Sequence, residues 1–103
     1  MDYQVVLSPS ARADLRAIVR YISFDAPDRA LEFGLYLISR TRLLAQSPEL
    51  GRIVPEFQDP FIREIIVRSY RVVYRLHDVR HLVEVIRFWH AARGTPEITS
   101  GAD

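Results

Sequence analysis

Residues 63–93 read REIIVRSYRVVYRLHDVRHLVEVIRFWHAAR. Val, Ile, Tyr, Phe and Trp gather there in three runs, Arg63 to Val67, Tyr70 to Leu76 and Leu82 to Trp89, parted by short polar breaks, and this pattern predicts three consecutive strands in a meander. In the middle run Tyr70, Val72, Tyr74 and Leu76 fall on one face, while Arg71, Val73, Arg75 and His77 fall on the other. One face is expected in a core and the other to carry guanidinium groups. The last run resists such a division, because Val83, Val85, Arg87 and Trp89 alternate with Leu82, Glu84, Ile86 and Phe88 and leave apolar residues on both sides. Such a sheet is expected to be covered on its second face too, by the C-terminal segment or by another protein.

Upstream, Tyr3, Val5 and Leu7 alternate with Gln4 and Val6, which suits a first short strand. Ser8-Pro9 then supplies a capping hydroxyl and a proline at the first helical position. Ala11, Leu15, Ile18 and Ile22 form one apolar stripe of the helix that follows, with Arg12, Arg16 and Arg20 on its solvent side. Phe24-Asp25-Ala26-Pro27 ends it, and a second helix runs from Pro27 through Ala30, Phe33, Leu37 and Leu44 to Ser47-Pro48. So short a link makes the helices an antiparallel hairpin, with Gly34 at a close contact between them. Pro48, Gly51, Pro55 and Pro60 mark an ordered loop that crosses to the sheet near functional surface. The predicted architecture is α+β, in the order β-α-α-β-β-β, with the hairpin packed on one face of an antiparallel sheet. Residues 1–93 form the single domain and 94–103 a polar, acidic tail whose last residues are expected to be disordered.

With 103 residues, 49% of them hydrophobic, the chain can build one modest core. It has no cysteine, no apolar run long enough to span a bilayer and no secretion-signal pattern, so a cytoplasmic protein without membrane association is expected. Three scattered histidines give no metal-ligand spacing, and no cofactor is implied. All 14 basic residues are arginine, a bias that a G+C-rich genome would also produce. Their placement is less easily explained that way. Seven arginines oppose three acids over residues 63–93, an excess of +4 in a chain whose net charge is +1. Arginine binds carboxylates and phosphates bidentately but is a poor proton carrier, which favours docking of an anionic partner over acid–base chemistry.

The patterns LSPSARADLRAIVRYI, SPELGRIVPE, REIIVRSYRVVYR and FWHAAR, in this order, resemble the RelE/ParE superfamily of bacterial type II toxins across nearly the whole chain. The resemblance implies a helical hairpin on an antiparallel sheet and a cognate antitoxin whose extended C-terminal portion wraps the toxin. RelE-like members cleave messenger RNA on the ribosome, with lysines and arginines on the sheet and commonly a tyrosine near the C-terminus. ParE-like members inhibit DNA gyrase without cleavage chemistry of their own. This chain has no lysine and its last tyrosine is Tyr74, so it resembles the ParE branch more closely, with the ribosome-dependent endoribonuclease as the alternative.

Arg63, Arg71, Arg75, Arg87, Trp89, His90 and Arg93 are the residues expected to meet a partner or target. Cleavage by 2′-OH attack would need a base, an acid and cations around the phosphorane; His90 is the candidate proton carrier, with Glu64 or Glu84 behind it, and Arg63 and Arg87 are among the cations. The plainer expectation for His90 is a strand-end histidine that bonds backbone and holds the C-terminal segment. The antitoxin is expected in the apolar groove between helices and sheet, with acidic or polar groups on Arg71 and Arg75.

Overall fold

The computed structural model describes residues 2–98, so the expected disorder of the final residues lies outside the described part. Strand β1 (Gln4–Leu7) leads into helix α1 (Pro9–Ser23), which follows from a capped start: Ser8 Oγ accepts the Ala11 N–H at 3.1 Å and Pro9 occupies the first turn. Helix α2 (Pro27–Arg42) also starts with a proline but has no side-chain cap at Ala26, and Asp28 places negative charge near its positive dipole end. It tightens into a 3-10 turn at Leu43–Ala45. Gly34 meets α1 as expected, since a Cβ there would lie 2.9 Å from Val19 Cγ2.

Strands β2 (Arg52–Ile53), β3 (Ile62–Val67), β4 (Tyr70–His77) and β5 (Leu82–His90) complete the sheet, which is ordered β1-β5-β4-β3-β2. The hairpin lies on one face, as the sequence implied. Two features go beyond that expectation. β1 pairs with β5 in parallel, so the sheet is mixed, and the loop contributes the two-residue strand β2. The crossover through two helices returns the chain to the far side of the sheet, which makes the parallel pairing possible.

The ambiguity of β5 has a single cause. Val73 pairs with Arg87 and Tyr74 with Val85, so Ile86 is an extra residue on β5 and the alternation of faces reverses there. Val83, Val85 and Phe88 consequently share the helix-side core with Val72, Tyr74, Leu76, Ala11, Ile18 and Leu37. Ile86 turns to the opposite face and packs with Val54, Ile62 and Val73, under Phe57 and Ile98. The second face is thus covered by the loop and by the C-terminal segment, and residues 94–98 are part of the packed structure. Pro96 is buried, so the packed chain does not stop at residue 93.

Beyond Leu7 the edge of β5 has no strand beside it, and α1 takes over. Ser8 Oγ donates to the Ile86 carbonyl at 3.2 Å, and the Asp14 carboxylate accepts the Phe88 N–H at 3.0 Å. The bulge and the first turns of α1 therefore satisfy each other's polar groups. At the opposite end of the sheet, Tyr74 O–H donates to the Pro48 carbonyl at 2.6 Å and accepts the Gly51 N–H at 3.0 Å, pinning the loop. Gly51 must be glycine, because a Cβ there would come 2.5 Å from the Glu64 carbonyl oxygen.

Candidate functional site

Arg71 and Arg75 do share the outer sheet face, about 13 Å apart by the rise of four residues. They do not form an open platform. Arg71 is buried and all five of its N–H donors are engaged: Nε and Nη2 with Glu64, Nη1 and Nη2 with Glu56, and Nη1 with the Gly94 carbonyl. Glu64, only 1% exposed, also accepts from Arg52 Nε at 2.8 Å. The charge that composition assigned to a partner is consumed here by the chain's own loop, strand and C-terminal segment. The Arg71 hydrogen bonds hold the Glu56 carboxyl at about 2, well below its ordinary 4.5.

The other expected site residues are placed as follows. Arg75 lies 3.7 Å from Glu84, whose carboxylate also contacts His77 Nε2 at 3.0 Å. Arg87 makes a bidentate pair with Asp14 at 2.8 Å and donates to the Glu97 carbonyl. Trp89 is buried; its Nε1–H donates to the Gly94 carbonyl, and the guanidiniums of Arg93 and Arg87 stand over its ring at 3.7 and 4.8 Å. Arg63 is opposite Tyr74 on the helix-side face and donates to the Gly51 carbonyl at 3.0 Å. Arg71, Arg87, Trp89 and Arg93 thus gather around the Gly94 carbonyl and the indole, while Arg63 stands on the opposite face, so the expected guanidinium face is divided and largely engaged within the chain. Arg71, Arg75 and Arg87 each lie within ion-pair distance of a carboxylate of the chain, and Arg63 donates to a carbonyl.

His90 is the exception, since it lines a cleft. About 760 Å³ in volume, this cleft opens between α1–α2 and the β3–β4 turn. Ile22, Phe33, Tyr36 and Tyr70 provide aromatic and apolar walls, while Arg29, Glu32, Arg68 and His90 provide polar groups. Arg68, in the turn with a left-handed φ of 55°, is held against Phe33 and Tyr36 at 5.7 and 4.9 Å from the ring centroids. His90 meets Tyr70 edge-on at 5.1 Å, and its Nδ1 accepts the Ala92 N–H at 3.1 Å. That bond caps the 3-10 turn Ala91–Arg93 and assigns the ring proton to Nε2. His90 thus presents a donor to the cleft, while the lone pair a general base would use is occupied. Burial raises the Tyr70 phenol above its ordinary value, with a contribution from Tyr21, so it too remains protonated.

Sequence reasoning missed Arg29, Phe33, Tyr36 and Arg68. Arg29, Phe33 and Tyr36 recur at spacings of four and three on α2, a stripe legible in the sequence as a helix face. Arg68 gave no such signal, because only the fold brings the β3–β4 turn to that stripe.

The family model described as the ParE toxin of type II toxin–antitoxin system, parDE, matches residues 5–94. Toxin RelE2 of Caulobacter vibrioides is 37% identical over 91 residues, covering 87% of this chain and 97% of that protein. Among solved structures, the chromosomal ParDE toxin–antitoxin system from P. aeruginosa superposes with a TM-score of 0.72 at 19% identity, over 85% of this chain and 95% of that one. The toxin–antitoxin complex RelBE2 from Mycobacterium tuberculosis gives 0.64 at 20% identity, over 87% and 99%. A mutant of E. coli toxin RelE in the free state gives 0.65 at 21% identity, over 91% and 88%. The structural matches establish a shared fold: two helices on a mixed five-stranded sheet.

Proposed function

The chain belongs to the ParE toxin family of type II toxin–antitoxin systems, and from that premise we propose that it acts in the ParE manner, as a non-catalytic cytoplasmic inhibitor of DNA gyrase neutralised by a cognate antitoxin. The observation that supports this most is that the candidate proton carriers His90, Glu64 and Glu84 are all engaged within the chain. The His90 Nδ1 lone pair is tied to the Ala92 amide, and the Glu64 carboxylate accepts from two arginines. A protein acting by binding needs neither group free. Purified chain should block ATP-dependent supercoiling by gyrase; unaffected gyrase together with cutting of ribosome-bound messenger RNA would overturn the proposal.

The antitoxin's place in this reading is the cleft. Aromatic walls suit apolar anchors, and Arg29 and Arg68 at its rim suit an acidic side chain beside them. Arg71 and Arg75, expected from the sequence to make this contact, are engaged within the chain. The 37% identity to a protein named Toxin RelE2 keeps a ribosome-dependent endoribonuclease as the second reading. In that case Arg29, Arg68, Tyr70 and His90 around the cleft would be its polar groups, and His90→Ala would abolish cleavage.

A further inference from the structure

Helix α1 presents a face that neither the cleft nor the sheet uses. Arg12, Arg16, Arg20 and Phe24 follow one another at four-residue intervals, and Ala13, Ala17 and Tyr21 run alongside; all seven are exposed. Tyr21 and Phe24 are 77% and 79% exposed, a high value for aromatic rings that could have packed inward. The only carboxylate between Arg12 and Phe24, Asp14, is turned away to Arg87 and the Phe88 amide. Among the described residues, none gives Arg12, Arg16 or Arg20 a hydrogen bond or ion pair. Three guanidiniums thus stand in a row at a helical rise of about 6 Å each. Beside them runs a lane of alanine methyls, and the row ends in two bare rings.

We propose that the outer face of α1 is a docking surface for a single-stranded nucleic acid, with the three arginines on successive phosphates and with Tyr21 and Phe24 as stacking platforms for bases. Guanidinium spacing accounts for the backbone, and the alanines allow it to approach closely. The exposed rings choose between possible anions. A duplex keeps its bases stacked on each other, and carboxylate side chains carry no stacking ring, whereas unpaired bases stack on aromatic side chains regardless of sequence. The three arginines do not line the cleft, and only Tyr21 comes near it, beside Tyr70, so the inference holds whether gyrase or the ribosome is the target.

The test is fluorescence anisotropy of labelled short oligothymidylate with the full chain over a salt series, alongside a duplex of equal length and a polyglutamate competitor. The triple substitution Arg12→Gln, Arg16→Gln, Arg20→Gln should lower the slope of log affinity against log salt by about 2, the value for three lost single-strand phosphate contacts. The pair Tyr21→Ala, Phe24→Ala should weaken binding about tenfold with the slope unchanged, as loss of stacking requires. Glutamine is a good helix former, and unchanged circular dichroism and urea midpoint will show that the variants fold. No binding of oligothymidylate, an equal affinity for duplex that is indifferent to the aromatic pair, or equally effective displacement by polyglutamate would each overturn the proposal.

Discussion

The outer face of the sheet and the outer face of α1 carry the same cation with opposite consequences. On the sheet, the buried Arg71 lies between buried Glu64 and the more exposed Glu56, and its charge ties three segments of chain together. On the helix, Arg12, Arg16 and Arg20 are exposed, and none of the described residues gives their side chains a hydrogen bond or ion pair. An arginine's role follows from the distance to the nearest carboxylate and from the water between them. Composition alone is silent on both.

The sharpest way to break this contrast is to remove the buried cation. Arg71→Ala leaves Glu64 buried with one guanidinium fewer and should cost about 3–5 kcal/mol in urea unfolding; a loss below about 1 kcal/mol would place Arg71 with the surface arginines. Tyr74→Phe deletes the hydroxyl that joins Pro48 and Gly51 and should cost about 1–3 kcal/mol in the same assay. Next comes acid sensitivity. Because the folded state holds Glu56 at about 2 against an ordinary 4.5, its contribution is complete above that ordinary value and disappears as pH falls from about 4.5 toward 2. Stability curves of the wild type and Glu56→Gln, measured by urea midpoint, should therefore converge over that window and stay apart above it. His90→Ala removes the cap on the Ala91–Arg93 turn, for a loss of about 1 kcal/mol. At the small end, the triple glutamine substitution of Arg12, Arg16 and Arg20 should leave stability within about 0.5 kcal/mol per site by the same measurement.

Much of the fold was legible in the chain because the signals are local. The Ser8-Pro9 cap, the Ala11–Ile18 stripe and the alternation of Tyr70, Val72, Tyr74 and Leu76 each depend on neighbours within a few residues. The bulge at Ile86 was visible only as a conflict, two apolar sets on opposite parities, since a bulge is defined by the partner strand. The same limit applies to the two-residue β2 and to the parallel pairing of β1, whose hydrogen bonds lie far away in sequence.

The candidate site was less legible for the same physical reason. His90 was marked by its position at a strand end, and the structure places it in the cleft as a capping group. Arg68 sits beside Phe33 and Tyr36 only because the β3–β4 turn folds toward α2. By itself the sequence determined which stretches would be strand or helix, which faces would be apolar and where positive charge would accumulate, since short-range geometry and hydrophobic period set these. Only the tertiary structure decided which charges remain available. Glu56, Glu64, Asp14 and Gly94 reach the arginines across 7 to 73 positions of chain, and electrostatic pairing depends on distance in space.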